Sequence, residues 1–509
     1  MPVARLPKLS DRTSGVLLHP TSLPGGWETG DLGAEARAFV YFLAAAGQSW
    51  WQMLPIGPAG YANSPYSAQS AFAGNPLLID CDRLEKDGYL TAKDRRHPRR
   101  EQLKNAFVAH LQGGTTDRDF QAFVREARPW LEDFALFSAI KHLHGEVQWT
   151  LWPAPLRDRE PAALRRFKAE NPEEIGFVRF MQWRFARDWQ ALRAHAHARG
   201  IGLIGDIPIF MAHDSADVWK QRDLYHLDRS GEAALIAGVP PDYFSETGQR
   251  WGNPLYRWDR MRRTGYAWWI QRFRATLAAF DAVRLDHFIG FSRYWAIPGD
   301  EPTAINGRWR RGPGAHFFTA IRRALRAQRL PLIAEDLGVV TPEVKALRDA
   351  FELPGIKILQ FAFGTDPNAP DFLPHNYTRN SVVYTGTHDN DTTAGWFHDA
   401  GSGTRSAEQT EKERRVALAY LGHDPSAPGD GAGRDIHWQM IRMILMSVAN
   451  VAIVPAQDLL GLGSEARMNR PGTDQGNWAF RLAAGALTPA LAARLRTLCA
   501  TYDRVRVAA

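Results

Sequence analysis

The sequence predicts an α/β protein built on a (β/α)8 barrel, with a largely helical insertion after the second strand and further loop insertions at the C-terminal face. Three observations predict this fold class. Eight short apolar runs recur along the chain, and helix-periodic segments separate most of them. One gap between runs is also far longer than a single crossover helix requires.

The eight strand candidates are apolar and rich in β-branched residues, as strands buried on both faces require. They are 15–19, 50–56, 201–210, 282–287, 330–336, 355–363, 381–389 and 451–458. Helical spacing of apolar residues appears between them in 34–46, 176–199, 268–279, 316–327, 342–351 and 436–448. This alternation is typical of a parallel barrel surrounded by helices.

Two long connections interrupt the alternation. The connection over 57–200 has helical periodicity, so we expect a mainly helical insertion whose final helix returns to the barrel. The barrel itself is then formed by 1–56 and 201–509. Within it, 211–265 is rich in glycine, proline and aromatic residues, which predicts a second insertion that acts as a flap over the barrel face.

Composition excludes several classes of protein. The 509 residues are 45% apolar and 23% charged, and a net charge of +7 is too thin to imply nucleic-acid binding. Cys81 and Cys499 are the only cysteines, so a disulfide framework and a thiolate metal site are both excluded. The N-terminus lacks the apolar stretch of a signal peptide, and no segment is long enough to span a membrane, so we expect a cytoplasmic protein.

Acidic residues follow three of the predicted strands. The fourth strand ends with Arg284 and Asp286, whose side chains lie on one face because they are two positions apart. Glu335 ends the fifth strand and Asp389 the seventh. The carboxyl ends of the strands carry the chemistry of such barrels, so we expect these three carboxylates at one mouth. Asp206 on the third strand and His388 belong to the same end.

Paired carboxylates at one site are what glycosidic chemistry requires. Asp286 beside a guanidinium is the candidate nucleophile, and Glu335 after the apolar run Leu332-Ile-Ala is the candidate acid. Asp389 is then left to bind sugar hydroxyls, with His388 as a donor beside it. An isolated strand-end carboxylate is more often a helix cap or an ion pair, and we expect such a structural role for Asp336 and Asp391, which lie close to the candidates in sequence. A structural role is likewise expected for His287.

Other motifs in the sequence predict no cofactor and no metal site. Gly461-Leu-Gly-Ser-Glu-Ala imitates a dinucleotide-binding fingerprint, but Pro471 ends any following helix too early. His195 and His197 are two residues apart on a predicted helix, so they do not share a face and are poor joint metal ligands.

Eight blocks of the chain together resemble the 4-α-glucanotransferases, the amylomaltases or disproportionating enzymes of the α-amylase clan. The blocks are Gly15-Val-Leu-Leu-His-Pro-Thr-Ser-Leu-Pro-Gly, Ser64-Pro-Tyr-Ser-Ala-Gln-Ser-Ala-Phe-Ala-Gly-Asn-Pro, Gly205-Asp-Ile-Pro-Ile-Phe, Gly238-Val-Pro-Pro-Asp-Tyr-Phe-Ser-Glu-Thr-Gly-Gln-Arg-Trp-Gly-Asn-Pro-Leu-Tyr, Arg284-Leu-Asp-His-Phe, Ala334-Glu-Asp-Leu-Gly, Thr387-His-Asp-Asn-Asp-Thr-Thr and Gly463-Ser-Glu-Ala-Arg-Met-Asn. Residues 82–174 carry no matching motif.

The resemblance implies roles for individual residues. Asp286 resembles the family's nucleophile, Glu335 its acid/base and Asp389 its transition-state-stabilising carboxylate. The positions that resemble substrate-binding residues are Ser64, Tyr66, Asp206, Trp251, Arg284, Phe361, His388 and Asn469. Among these, Tyr66 resembles the ring that stacks on the reacting sugar, and Trp251 and Phe361 resemble acceptor and donor wall aromatics. The loop 243–253 resembles the family's active-site flap.

The resemblance further implies a retaining transfer of α-1,4-glucan segments from a maltooligosaccharide or starch donor to the 4-hydroxyl of an acceptor sugar, without a cofactor, nucleic acid or membrane. Two alternatives remain open at the level of sequence. A retaining α-glucan hydrolase uses the same carboxylates and differs only in transferring to water. A non-catalytic glucan-binding barrel would keep the aromatic residues, but it has no need of three intact carboxylates.

Overall fold

The computed structural model describes residues 5–25, 28–113, 117–241, 245–401, 405–424 and 433–506. The strands in these ranges are β1 Thr13–Leu17, β2 Trp50–Gln52, β3 Gly202–Pro208, β4 Leu235–Val239, β5 Gln249–Pro254, β6 Ala282–Asp286, β7 Arg293–Pro298, β8 Arg308–Arg311, β9 Leu332–Ala334, β10 Gly355–Ile358, β11 Ser381–Tyr384 and β12 Val451–Pro455.

Eight of these strands form a closed parallel barrel in the order β1-β12-β11-β10-β9-β6-β3-β2. The predicted (β/α)8 fold is therefore confirmed, and each predicted run overlaps one barrel strand. Seven of the strands are shorter than their runs, and β1 begins two residues before its run. Each run extends past the carboxyl end of its strand, so Glu335 directly follows β9, whereas His388 and Asp389 lie in a loop beyond the end of β11 at Tyr384.

The α-helices of the described residues occupy most connections. They are α1 Ala34–Ala45, α2 Cys81–Lys86, α3 Arg99–Gln112, α4 Arg118–Leu143, α5 Ala154–Arg157, α6 Pro161–Glu170, α7 Pro172–His197, α8 Ala216–Lys220, α9 Trp258–Arg263, α10 Ala267–Ala279, α11 Ile289–Ser292, α12 Gly314–Ala324, α13 Pro342–Ala350, α14 Thr393–His398, α15 Ala407–Tyr420, α16 Ile436–Met446, α17 Ala456–Leu459 and α18 Pro489–Thr501. No helix within the described ranges is both long and apolar enough to cross a membrane.

Helices α2 to α7 lie between β2 and β3. The longest two, α4 and α7, pack against each other, and α7 also contacts α1 and β3. This packing joins the connection to the barrel wall. The division into a barrel of 1–56 and 201–509 and an insertion of 57–200 remains a prediction about domains.

A second sheet was not predicted from the sequence. Strands β5, β4, β7 and β8 pair in that order as an antiparallel sheet, and it extends well beyond the predicted flap region 211–265. Its strands lack apolar alternation because glycine and proline interrupt them and because every residue of β8 (Arg-Trp-Arg-Arg) is exposed. The flap 243–253 is described from residue 245 onward, and its residues 243 and 244 lie outside the described ranges.

The barrel interior is an apolar layer beneath the carboxyl-end loops. Trp50 fills much of this layer, and Gly15 on β1 makes room for it, since a Cβ there would lie 2.5 Å from the Trp50 Cβ. Tyr384 closes the layer at its upper edge and donates its hydroxyl to Gln52 Oε1 at 2.9 Å. The polar residues above this layer therefore stand on a close-packed floor.

Two arginines close the opposite, amino end. Arg504 is fully buried and donates to the carbonyl oxygens of Thr13, Leu445 and Ala449 at 2.8, 2.6 and 3.0 Å. Arg12 donates to the carbonyl oxygen of Ser447 at 2.7 Å. These bonds tie the start of β1 to the loop that leads into β12.

Candidate active site

The centre of the site is a row of alternating charges on β3 and β6. The two strands pair in parallel with Asp206 opposite Arg284, which places both side chains at the barrel mouth. One Arg284 nitrogen, Nη1, lies 2.7 Å from Asp206 Oδ2 and 3.0 Å from Asp286 Oδ1. The buried guanidinium thus holds both carboxylates, and their proximity raises its pKa although burial opposes this.

Tyr66 joins this row from the connection after β2. Its hydroxyl donates to Asp206 Oδ2 at 3.0 Å. The 3-10 helix Pro65–Ser67 presents the ring, and Ser64 caps this helix by accepting the Tyr66 N–H at 3.2 Å. Burial and the neighbouring Asp206 keep the pKa of the Tyr66 phenol well above its ordinary value, so the hydroxyl remains a donor.

Glu335 lies beside Asp286 in a different environment. Its side chain is buried, and burial raises its pKa well above that of an ordinary glutamate, with a further increase from Asp286. Arg284 and the His287 N–H, which donates to Glu335 Oε2 at 2.6 Å, act in the opposite direction. The protonated form is therefore favoured at rest, while donors are already in place for the ionised form.

His287 shapes the link between β6 and Glu335. Its φ of +52° is a left-handed conformation, and this turn directs its backbone N–H at the glutamate. Burial lowers the pKa of its imidazole to about 4, so the ring is neutral. The ring meets Trp251 of β5 edge-on at 4.8 Å between centroids. The structural role expected for His287 agrees with these contacts.

Asp389 is held from the far side of the mouth. Asn469 Nδ2 donates to its Oδ1 at 2.6 Å, and Arg467 Nη2 donates to its backbone oxygen at 2.6 Å. His388 Nε2 lies 3.4 Å from Asp389 Oδ2. Burial lowers the pKa of His388, which leaves its imidazole neutral near pH 7.

Three rings join the two sides of the mouth. Tyr66 and His388 stack with centroids 5.1 Å apart and an angle of 15° between their planes. Trp478 contacts both of them, at 5.8 and 6.0 Å. Trp478 was not predicted from the sequence as a site residue, because an Asn-Trp pair in a polar loop carries no spacing signal.

The structure connects most of the predicted residues but not all of them. Hydrogen bonds, ion pairs and ring contacts link Tyr66, Asp206, Trp251, Arg284, Asp286, Glu335, His388, Asp389 and Asn469, with His287 between Trp251 and Glu335. Phe361 stands apart in the 3-10 helix after β10, where it is 38% exposed and meets Phe372 edge-on at 5.5 Å. The hydrogen bond found for the Ser64 side chain is its helix cap.

The neighbouring acidic residues have structural partners. Asp336 pairs with Arg348 at 2.5 Å and accepts the Ile356 N–H at 2.9 Å. Asp391 accepts the Ser464 hydroxyl at 2.7 Å. These contacts agree with the structural roles expected for both. Within the described residues, no group of three or more His, Cys, Asp or Glu side chains has an arrangement that could hold a metal ion.

A further buried histidine, His19, follows β1 and was not assigned a role from the sequence. It lines a small cavity next to His388, together with Asp391, Asp458 and Arg467. Burial and the nearby His388 lower the His19 pKa to about 3. His19 therefore contributes a neutral polar ring beneath the site.

Comparison with known proteins identifies relatives along nearly the whole chain. The sequence profile of the family described as 4-alpha-glucanotransferase matches residues 18–488. A 4-alpha-glucanotransferase of Thermus thermophilus is 48% identical and covers 97% of this chain and 99% of its own length. A chloroplastic/amyloplastic 4-alpha-glucanotransferase of Solanum tuberosum is 40% identical, with 97% of this chain and 87% of its own length covered.

Comparison with solved structures identifies relatives of the same kind. An amylomaltase from Streptococcus agalactiae in complex with acarbose superposes with a TM-score of 0.90 at 36% identity, covering 97% of this chain and all of the other. The amylomaltase from Corynebacterium glutamicum, at 20% identity, shares the fold with a TM-score of 0.72 over 97% of this chain and 75% of its own. The resemblance found in the sequence is confirmed, and the chain belongs to the 4-alpha-glucanotransferase family.

Proposed function

We propose that this protein transfers segments of α-1,4-glucan from a donor maltooligosaccharide or starch to the 4-hydroxyl of glucose or another acceptor sugar. The observation that carries the proposal is the pair Asp286 and Glu335. One carboxylate is held by a guanidinium at 3.0 Å, and burial favours the protonated form of the other. This is the division of roles that a retaining glycosyl transfer requires.

In the first half of the reaction, an Asp286 oxygen attacks the anomeric carbon of the donor. The glycosidic bond breaks as Glu335 gives its proton to the departing oxygen, so the leaving sugar departs as a neutral alcohol. The donor segment is now an ester of Asp286, and Glu335 is a carboxylate. The His287 N–H at 2.6 Å and the Arg284 charge stabilise this ionised form.

In the second half, Glu335 accepts the proton of the acceptor 4-hydroxyl. The acceptor oxygen attacks the anomeric carbon, the ester bond to Asp286 breaks, and a new α-1,4 bond forms with the original configuration. Glu335 ends protonated, as it began. Burial, which raises its pKa, supports this return.

The remaining predicted residues are proposed to bind sugar. Asp389, with Asn469 at 2.6 Å and His388 at 3.4 Å, is suited to hold hydroxyls of the reacting glucose and to stabilise its transition state. The Tyr66 ring offers a face for the same sugar. We assign Trp251 to the acceptor wall and the exposed Phe361 to the donor wall, with Ser64 in the adjoining loop.

Transfer to sugar in place of water requires a site that excludes solvent and orients an acceptor hydroxyl. The sheet that carries Trp251 supports this role, because β5 brings the indole ring against His287, next to the acid Glu335. We also propose a reducing, cytoplasmic location, since both cysteines, Cys81 and Cys499, are buried free thiols.

Incubation with maltotriose as the sole substrate tests the function. We expect glucose together with a ladder of longer maltooligosaccharides and almost no net gain of reducing ends. A steady rise in reducing ends, with no product longer than three units, would instead identify a hydrolase. Binding of maltooligosaccharides with no change in their length would identify a glucan-binding barrel.

A further inference from the structure

Trp478 occupies a strained backbone position in the loop after Met468. Its φ of +61° lies in the left-handed region, which a bulky residue rarely adopts. The Trp478 N–H donates to the Met468 carbonyl oxygen at 2.7 Å, and the Asn477 side chain accepts the Arg470 N–H at 2.9 Å. The loop therefore folds back on itself and fixes where the indole ring stands.

The indole ring bridges two residues from distant parts of the chain. Its plane is tilted by 45° to Tyr66 and by 37° to His388. Tyr66 arrives from the connection after β2, and His388 from the loop after β11. The three rings, Tyr66, His388 and Trp478, form one cluster that we call the ring cluster.

Each of the other two members of the ring cluster touches one side of the candidate site. Tyr66 donates to Asp206 at 3.0 Å, and Asp206 shares Arg284 Nη1 with Asp286. His388 lies 3.4 Å from Asp389. Trp478 thus contacts both Tyr66, which holds Asp206, and His388, which lies beside Asp389.

We propose that Trp478 is a positioning residue for the glycosyl transfer. By packing against both rings, it fixes the orientation of the stacked pair Tyr66 and His388, and through them the placement of Asp206 and Asp389 around the reacting sugar. The inference rests on the proposed function. The role acts through Tyr66 and His388 and requires no contact between Trp478 and the reacting atoms.

A simpler role for Trp478 is to anchor its loop. The loop, however, has other attachments that do not involve the indole ring. The backbone hydrogen bond from Trp478 to Met468 and the bond from the Arg470 N–H to the Asn477 side chain both remain when the Trp478 side chain is replaced. The loop is also attached through Asp474, which accepts the Tyr61 hydroxyl at 3.0 Å. Loss of the ring should therefore disturb the ring cluster more than the fold.

The test compares Trp478→Leu and Trp478→Phe with the wild type in maltotriose disproportionation. Leucine fills space without a flat ring, so we expect kcat to fall about 10- to 100-fold with a KM within about threefold, as misplacement of groups around the reacting sugar predicts. Phenylalanine restores a ring face and is expected to recover most of kcat. Trp309→Leu is the matched control, because Trp309 is 38% exposed on β8.

Two outcomes overturn the inference. One is an unchanged kcat in Trp478→Leu. The other is an equal loss of kcat in the leucine and phenylalanine variants together with a fall of many degrees in Tm, which identifies a loop anchor. If the leucine variant does not fold, Trp478→Met is judged by the same criteria. A wild-type protein that makes no ladder of products refutes the proposed function itself, whereas an active wild type with an unaffected leucine variant refutes only the role of Trp478.

Discussion

Each end of the barrel buries an arginine, and the two arginines have different partners. At the carboxyl end, Arg284 lies between the carboxylates of Asp206 and Asp286. At the amino end, Arg504 and Arg12 donate to backbone carbonyl oxygens. One arrangement concentrates charges that can take part in a reaction, and the other connects loops.

The pKa shifts reflect this contrast. The carboxylates raise the pKa of Arg284, whereas burial and the nearby Arg12 lower that of Arg504 to about 9. Barrels of this type separate function at one end from stability at the other. We therefore expect substitutions at the carboxyl end to change rates and substitutions at the amino end to change the free energy of unfolding.

The largest effect is expected from Asp286→Asn. The amide keeps the shape of the side chain but cannot form the glycosyl ester, so kcat should fall by about 10⁴-fold or more. Asp281→Asn is the matched control at the amino end of the same strand, where Asp281 pairs with Arg193 and His197. The control should lower Tm and leave kcat nearly unchanged. Trapping with a fluorinated glucosyl donor should label Asp286, and a label on Glu335 would reverse the two roles.

Glu335→Gln should lower kcat by about 10²- to 10⁴-fold, because it removes the proton donor. It also tests the raised pKa of Glu335 through stability. The folded protein holds this proton to a higher pH than the unfolded chain does, so the stabilisation is present at low pH and is lost as pH rises through the folded pKa. The Tm of the variant relative to the wild type should thus increase from pH 4.5 to pH 8. A difference that stays constant with pH contradicts the shift.

Arg504→Met should lower stability and leave the rate unchanged, whereas the Asp286 and Glu335 variants mainly lower the rate. It leaves several buried carbonyl oxygens without their donor, and we expect a loss of about 3 kcal/mol in the free energy of unfolding. The kcat of the folded protein should be that of the wild type. Arg329→Met, which breaks an exposed pair with Glu352, is the control and should cost less than about 1 kcal/mol. Denaturant unfolding measures the free energy of unfolding, and the rate per titrated active site gives the kcat of the folded protein. A large fall in kcat for Arg504→Met would contradict the distinction between the two ends of the barrel.

The smallest effect is expected from Trp251→Ala. Loss of a stacked ring should slow transfer to glucose by about tenfold, while donor cleavage changes by less than about threefold. Rates of glucose transfer and of release from an activated maltosyl donor separate the two steps. If both rates and Tm fall together, Trp251 supports the fold through its contact with His287 and does not form an acceptor wall.

The sequence predicted those features that depend on residues close together in the chain. The barrel strands appeared as apolar runs because both of their faces are buried, and the alternation on β6 placed Arg284 beside Asp286. The antiparallel sheet was missed because β8 is exposed along its whole length and has no periodic pattern. Trp478 was missed because its neighbours Tyr66 and His388 are brought to it only by the closed barrel.

Closure of the barrel between β1 and β12 also has a consequence for biosynthesis. Thr13–Leu17 pairs with Val451–Pro455 along its whole length, so β1 lacks one neighbour until β12 has also been translated. At about 5–20 residues per second, the roughly 430 residues between them take about 20–90 s to synthesise. During that interval the outer edge of β1 is an open template for strand addition by other nascent chains. Shielding of this edge by a chaperone during synthesis is therefore expected to raise the yield of active protein.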